Sequence, residues 1–262
     1  MGFLTDVVER IRRDLRERPP DDVALMARAH AMPPARPFEA ALRSATPPAL
    51  IAEVKRASPS AGEIAPDADP RALALAYEAA GAAAVSVLTE PRHFQGSLAD
   101  LQAVRSSVSI PVLRKDFHVH PAQVIEARAA GADAVLVIVA AVSNDELIAL
   151  LRAADDLGID TLVEAHSDED LERALSTDAG VIGVNARDLE SLSVDVPGAL
   201  ELLRRIPGDR IAVLESGIAA RGDVEAAVEA GASAILVGEA LVRADDPARA
   251  ARKLIWRELR TT

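Results

Sequence analysis

The chain contains no cysteine and few aromatic residues. Its 262 residues carry a formal charge of −12, and 50% are hydrophobic but only 2% aromatic. Without cysteine there is no disulfide framework, thiolate zinc site, iron–sulfur cluster or thiol nucleophile, which suits a reducing cytoplasm. The acidic charge disfavours nucleic acid or an anionic membrane as the main partner. Neither a signal peptide nor a membrane span is expected, because no apolar stretch is long enough.

Lysine is the scarce basic residue. Of 29 basic residues only Lys55, Lys115 and Lys253 are lysines, and the rest are arginines. A GC-rich coding bias explains such a balance, and chance explains the position of any single lysine. Lysine can nevertheless release its proton at an accessible pKa, whereas arginine effectively cannot. A lysine that falls at a functional position is therefore a candidate general acid or base.

A repeat with a period of about 50 residues indicates the fold. Gly81, Gly131, Gly180 and Gly231 each stand between a helical pattern and an apolar run rich in β-formers. Each period holds two strand–helix units. The candidate strands are 49–55, 83–88, 110–115, 134–139, 160–164, 181–185, 211–215 and 234–238. The candidate helices between them include 70–80, 120–130, 145–157, 168–176, 196–206 and 220–230.

Strict alternation of strands and helices predicts parallel strands with right-handed crossovers. Eight units in a chain of this length favour a closed (β/α)8 barrel, and an open doubly wound sheet stays as the alternative. Residues 1–48 do not belong to the repeat. Their helical spacing and proline pairs predict an extension of two or three helices, its charged face solvated, packed on a single barrel domain over residues 49–262.

On five predicted strands, the last inward-facing positions are polar. Alternate strand residues point into a barrel, and the chemistry of this fold lies at the carboxyl ends of its strands. For any one of these residues, a surface position or a salt bridge is as good an explanation as a catalytic role. As a set they are costly to bury without a ligand and therefore predict a catalytic site. The set is Glu53, Lys55, Lys115, Glu164, Asn185, Arg187 and Glu215.

A phosphate site is predicted after the last two strands. Strand seven runs into Ser216 and Gly217, and strand eight into Gly238 and Glu239, where backbone N–H groups can face an anion. The loop 56–64, with Ser58 and Pro59, is either a mobile lid or an ordinary connection. Two of the scarce aromatic residues, Phe94 and Phe117, follow strands two and three. They are expected to line a slot for a planar ring, with loop packing as the alternative.

No metal or organic cofactor is predicted. His118 and His120 form an H-x-H pair without a third ligand at a recognisable spacing, so a solvated loop or a helix start is the expected role. The dinucleotide fingerprint G-x-G-x-x-G, the P-loop and the zinc motif H-E-x-x-H are all missing from the sequence.

Several segments resemble indole-3-glycerol phosphate synthase. The resemblance runs in order from about residue 50 to residue 243, and the N-terminal extension also suits this family. The matching segments are 51–60 (IAEVKRASPS), 88–90 (LTE), 94–97 (FQGS), 111–117 (PVLRKDF), 163–166 (VEAH), 182–189 (IGVNARDL) and 215–218 (ESGI).

The resemblance implies conversion of 1-(2-carboxyphenylamino)-1-deoxyribulose 5-phosphate to indole-3-glycerol phosphate, with loss of carbon dioxide and water. It implies that Lys115 is the general acid for ring closure and that Glu164 and Lys55 transfer protons in the later dehydration. It further implies the following roles: Glu53 as base or electrostatic partner, Asn185 and Glu215 as positioning groups, Ser216, Gly217 and Gly238 at the phosphate, and Ser58, Pro59, Phe94, Phe117, Arg187, Leu189 and Glu239 as further substrate contacts.

One position departs from the family pattern. Some members carry a small hydroxyl residue after the glycine of strand eight, where this chain has Glu239. Because a carboxylate repels phosphate, only the backbone N–H of Glu239 is expected to face it.

Two other functions stay open. They are a Schiff-base aldolase that uses Lys115 and a phosphate-binding barrel without catalysis. Contacts with other tryptophan-pathway enzymes are open as well.

Overall fold

Eight parallel strands close into a barrel in the computed structural model, which describes residues 2–255. The first strand pairs on one side through Ile51 with Ala84 and on the other through Ala49 with Ala234, so the sheet has no open edge. This closure confirms the (β/α)8 barrel and excludes the open doubly wound sheet. The strands are β1 (Ala49–Val54), β2 (Ala84–Leu88), β3 (Val112–Lys115), β4 (Ala134–Ile138), β5 (Asp160–Ala165), β6 (Val181–Asn185), β7 (Ile211–Glu215) and β8 (Ala234–Val237).

Helices alternate with these strands, and several begin at a polar N-cap. The hydroxyls of Ser97, Ser143 and Ser167 each accept a backbone N–H of the first helical turn. The helices are α1 (Phe3–Glu17), α2 (Asp22–Ala31), α3 (Phe38–Ser44), α4 (Pro70–Ala79), α5 (Leu98–Arg105), α6 (Pro121–Ala129), α7 (Asn144–Asp156), α8 (Asp168–Leu175), α9 (Val196–Leu203), α10 (Arg221–Glu229), α11 (Glu239–Val242) and α12 (Pro247–Ile255). A short 3₁₀ turn, Val139–Ala141, follows β4.

Glycine occupies the four repeat positions for two different structural reasons. Gly81, Gly131 and Gly231 end helices with φ angles of 93°, 96° and 101°, a conformation that favours glycine. Gly180 lies outside that region. A side chain there would overlap the carboxylate of Glu39 in α3, so this glycine admits the close approach of the N-terminal extension.

The N-terminal extension forms three helices that pack on the barrel. Leu4 and Val7 of α1 and Phe38 of α3 are buried in the same apolar cluster as the strands. The predicted boundary between residues 48 and 49 falls between α3 and β1. Met1 and residues 256–262 lie outside the described residues, so the two ends of the predicted division stay predictions.

The charged face of α1 is not simply solvated, which corrects the prediction. Arg10 pairs at 2.8 Å with Glu90, a buried carboxylate in the loop after β2. Arg12 pairs at 2.9 Å with Glu146 of α7. These long-range pairs fix α1 across the carboxyl ends of the strands.

The barrel interior changes from apolar to polar along the strands. Ile51, Leu113 and Leu162 are fully buried and point to the same side as the polar residues two positions later in β1, β3 and β5. This apolar layer forms the floor beneath the carboxyl ends. Within residues 2–255, no helix is both long and apolar enough to cross a membrane.

Candidate active site

A cavity of about 460 Å³ opens at the carboxyl ends of the barrel strands. All the residues that the sequence singles out for catalysis or substrate binding line it. They are Glu53, Lys55, Ser58, Pro59, Phe94, Lys115, Phe117, Glu164, Asn185, Arg187, Leu189, Glu215, Ser216, Gly217, Gly238 and Glu239. The strand register therefore gathers groups that are up to 186 positions apart in the chain.

Lys115 lies at the centre of a buried ionic cluster. Its Nζ is 2.9 Å from Glu164 Oε2 and 3.1 Å from Glu215 Oε2. Burial alone would lower the pKa of Lys115, but the negative charges of Glu164, Glu215 and Glu53 raise it well above its usual value. Lys115 therefore stays protonated and is arranged to give up a proton only to a group that develops strong basicity beside it.

The pKa values of the two carboxyl groups beside Lys115 are shifted in opposite directions. Burial opposes ionisation of Glu164, but Lys115 and His166 outweigh it and lower the pKa of Glu164. Burial and the charge of Glu164 raise the pKa of Glu215 well above its usual value, although Lys115 acts in the opposite direction. The shifts run in opposite directions, so Glu164 is held as a carboxylate and Glu215 is the more readily protonated of the two.

His166 contacts Glu164 without lining the cavity, a position that the sequence pattern does not single out. Its Nε2 lies 3.2 Å from Glu164 Oε1, on the side of the carboxylate away from Lys115. His166 follows Glu164 by two positions and continues the inward face of β5. This contact places the imidazole beside Glu164, where it helps to lower the pKa of the carboxyl group.

Glu53 and Lys55 form a second pair at the end of β1. Lys55 Nζ is 2.8 Å from Glu53 Oε1, and Glu53 is 3% exposed. Ser86 of β2 donates a long hydrogen bond of 3.5 Å to the other oxygen of Glu53. A Cβ atom at Gly238 would lie 2.6 Å from Glu53 Oε1, so the glycine after β8 makes room for this carboxylate.

The predicted phosphate end is built from strained and closely packed backbone. Ser216 and Gly217 follow β7 with φ angles of 63° and 72°. Glycine is required at 217, since a Cβ there would lie 2.5 Å from Val196. A non-glycine residue in the left-handed region, such as Ser216, is typical of functional sites.

The end of β6 is held by its own side chains. Asn185 Oδ1 accepts the backbone N–H of Arg187 at 3.0 Å, and Arg187 donates to the carbonyl of Leu192 at 2.8 Å. These bonds order the loop that carries Leu189 and connect it to α1, because Leu189 accepts the backbone N–H of Leu4.

Three aromatic rings form one wall of the cavity. Phe94 and Phe117 lie 6.3 Å apart in a tilted arrangement, and Phe3 meets Phe117 edge-on at 6.1 Å. The sequence pattern predicts Phe3 only as part of the helical N-terminal extension. Because aromatic residues are scarce in this chain, Phe3 was a candidate for a role in ligand binding. Its position beside Phe117, however, depends on tertiary contacts that the sequence pattern does not show.

Comparison with models of known protein families relates the chain to one family. The model of the family described as indole-3-glycerol phosphate synthase matches residues 4–254. The chain belongs to the indole-3-glycerol phosphate synthase family. Its class is therefore that of a lyase in tryptophan biosynthesis.

Close relatives share half of the sequence. The indole-3-glycerol phosphate synthase of Rhodococcus opacus is 49% identical over 97% of this chain and 95% of the relative. That of Parafrankia is 50% identical over 94% of this chain and 92% of the relative. A solved chain of the tryptophan synthase complex from Pyrococcus furiosus matches with a TM-score of 0.58 at 19% identity, over 79% of this chain and 97% of that chain, which supports the fold alone.

Glu239, which departs from the family pattern, directs its carboxylate sideways. Glu239 Oε1 accepts a hydrogen bond of 2.9 Å from Nε of Arg243, one turn further along the chain. Both residues line the cavity. The expectation that only the backbone N–H of Glu239 faces the phosphate remains a prediction.

The two histidines after β3 have separate roles, neither in a solvated loop. His118 is fully buried, and its Nδ1 lies 2.7 Å from the carbonyl oxygen of Leu136 in β4. The solvated role predicted for it is wrong, because the chain turns inward after Phe117. His120 is the N-cap of α6, as the helix-start alternative proposed. Among the described residues, no group of three or more potential metal ligands is present.

Proposed function

We propose that the chain catalyses the synthase reaction on 1-(2-carboxyphenylamino)-1-deoxyribulose 5-phosphate, with Lys115 as the general acid. The observation that carries the proposal is the Lys115 ammonium, held between Glu164 and Glu215 in the cavity. The aromatic wall and the predicted phosphate end line the same cavity, which suits a substrate with an aryl ring at one end and a phosphate at the other.

Ring closure requires a proton at the substrate carbonyl. The ring carbon that bears the carboxylate attacks the ribulose carbonyl carbon, and the carbonyl oxygen takes the Lys115 proton to become a hydroxyl. The carboxylate then leaves as carbon dioxide, and its bonding electrons restore the aromatic ring. The raised pKa of Lys115 keeps the donor charged until the oxygen gains electron density.

Dehydration completes the indole. The new hydroxyl leaves as water after it accepts a proton, and the neighbouring CH₂ group loses a proton so that the double bond forms. We assign these transfers to Glu164 and Lys55. Glu164 is ionised and suits the acceptor, while Lys55 is held beside Glu53, which acts as its electrostatic partner or base. The sequence of steps is redox-neutral and uses only proton transfers between side chains and substrate.

The remaining cavity residues hold the two ends of the substrate. We assign the aryl ring to Phe94, Phe117 and Leu189, with Phe3 added from the structure. Asn185, Glu215 and Arg187 position the polar middle of the substrate. The phosphate is assigned to Ser216, Gly217, Gly238 and the backbone N–H of Glu239, with Ser58 and Pro59 contributed by the loop after β1. We further propose a cytoplasmic enzyme whose partner is this small phosphorylated molecule.

Product formation tests the proposal. The purified chain is mixed with the ribulose phosphate substrate, and indole fluorescence is followed. We expect a rise in fluorescence with the parent chain and with Lys253→Met, an exposed control, but not with Lys115→Met. A folded parent chain that yields no indole product would refute the proposed reaction.

The ionisation of Lys115 disfavours the aldolase alternative. A Schiff base requires a neutral amine, whereas the surrounding carboxylates keep this amine protonated. Borohydride added during turnover is expected to trap no substrate adduct on the chain.

A further inference from the structure

Glu239 places a carboxylate at the end of the cavity assigned to phosphate. It directly follows Gly238, and both residues line the cavity together with Ser216 and Gly217. Its side chain is 39% exposed, so water screens its charge only in part and some repulsion of a nearby anion remains. A phosphate dianion at this end therefore needs a compensating cation.

Arg243 is placed to supply that cation. Its Nε donates to Glu239 Oε1 at 2.9 Å, and its side chain, 49% exposed, lines the same cavity. A guanidinium carries five N–H groups, and the bond to Glu239 uses only the one on Nε. Within residues 2–255, neither Nη group of Arg243 has a hydrogen-bond or ion-pair partner. The outer edge of the guanidinium therefore remains available to a ligand.

The other cavity cations are already engaged. Lys55 pairs with Glu53 at 2.8 Å, and Lys115 lies between two carboxyl groups. Arg187 donates one Nη to the carbonyl of Leu192. Arg243 thus offers two unengaged Nη groups in the cavity that Gly217 and Gly238 also line.

We propose that Arg243 binds the substrate phosphate through its two Nη groups and that Glu239 is the positioning residue that orients it. The inference rests on the proposed function, which supplies a phosphorylated substrate. The planar fork of arginine matches two phosphate oxygens, so a guanidinium fixed at Nε binds with little further ordering. The carboxylate that departs from the family pattern then contributes to phosphate binding indirectly, as the anchor of Arg243.

Inorganic phosphate is the probe that tests Arg243. Its affinity is measured by isothermal titration calorimetry, and its inhibition constant against the ribulose phosphate substrate by steady-state kinetics. We expect Arg243→Gln to weaken phosphate binding about tenfold and to raise KM similarly, with kcat within about twofold. Arg249→Gln, an exposed arginine of α12 outside the cavity, is the matched control and should change neither. An equal phosphate affinity in the two variants would overturn the proposal.

Variants at Glu239 separate positioning from simple repulsion. Glu239→Gln keeps an oxygen that accepts from Nε, so phosphate binding should stay at the parent level or tighten. Glu239→Ala removes the negative charge but also releases Arg243, and we expect weaker binding, with little further loss when it is combined with Arg243→Gln. Tighter binding in Glu239→Ala would show that the carboxylate only repels phosphate and would refute the positioning role.

The calorimetric measurement does not require turnover. Phosphate binding that depends on Arg243 in a chain without synthase activity would support this inference and refute the proposed function. Synthase activity in a chain whose phosphate affinity does not depend on Arg243 would support the proposed function and refute this inference.

Discussion

At the scale of single residues, Lys115 is the group that a conservative change tests most directly. Lys115→Arg keeps the positive charge between Glu164 and Glu215. It replaces an ammonium group with a guanidinium group, which effectively never releases its proton in proteins. We expect kcat to fall by about 100-fold or more, the usual contribution of a general acid. Lys253→Arg in α12 should leave kcat unchanged. A Lys115→Arg variant with near-normal kcat would contradict the general-acid role.

Glu215 is the residue whose ionisation opposes folding. Its raised pKa means that the folded chain holds a proton that the unfolded chain releases above the ordinary value of 4.5. The free energy of unfolding therefore decreases as pH rises from 4.5 toward the raised pKa. Glu215→Gln keeps the shape of the side chain and cannot ionise.

Urea unfolding at a series of pH values checks this expectation. The stability of Glu215→Gln relative to the parent should increase as pH rises above 4.5. A difference that does not vary with pH would show that Glu215 titrates as an ordinary carboxyl group.

At the scale of elements, α1 connects the N-terminal extension to substrate binding. Phe3 at its start contributes a ring to the aromatic wall, and Arg10 fixes the helix to the buried Glu90. Phe3→Ala removes one side of the slot proposed for the aryl ring. We expect KM to rise about tenfold with a smaller change in kcat, since aromatic contacts bind substrate and transition state alike.

A second truncation on the same helix distinguishes this effect from a loosened α1. Leu15 packs against the core at the other end of α1, outside the cavity. Leu15→Ala should destabilise the fold without changing KM. Equal rises in KM for the two variants would show that α1 acts only by its stability.

Local sequence patterns predicted elements well because strands and helices depend on short-range periodicity. The inward positions of β1, β3, β5, β6 and β7 followed from the two-residue period, which is why the polar set of the cavity could be named. Phe3, His166 and the burial of His118 were not predicted. Each is defined by a partner elsewhere in the chain, such as the carbonyl of Leu136 for His118, and no local spacing reveals such a partner.

At the scale of the whole molecule, charged groups are buried at both ends of the barrel for different purposes. At the amino ends of the strands, Asp133 accepts backbone N–H groups of Arg36 and Val112 at 2.8 and 2.9 Å and lies 3.1 Å from Arg105. These bonds connect the extension to the barrel and satisfy the carboxylate. At the carboxyl ends, Lys115 and its partners shift the pKa values of two acids in opposite directions. The first arrangement attaches the extension to the barrel, and the second keeps reactive groups in place.

His118 contributes to the loss of stability in acid. Burial, followed by the nearby charge of Arg114, lowers the pKa of His118 from 6.5 to about 4. The unfolded chain binds a proton at this histidine near pH 6.5, whereas the folded chain does not until about pH 4. The free energy of unfolding therefore loses about 3 kcal/mol from this group as pH falls through that range.

Because Glu215 acts in the opposite direction over part of the same range, the test compares parent and variant at each pH. His118→Asn retains a side-chain N–H for the carbonyl of Leu136 and cannot titrate. It should be less stable than the parent at pH 7, because the imidazole packing is lost, and the gap should narrow by about 3 kcal/mol toward pH 4. A constant gap for His118→Asn would mean that this buried histidine takes up its proton as readily in the folded chain as in the unfolded chain.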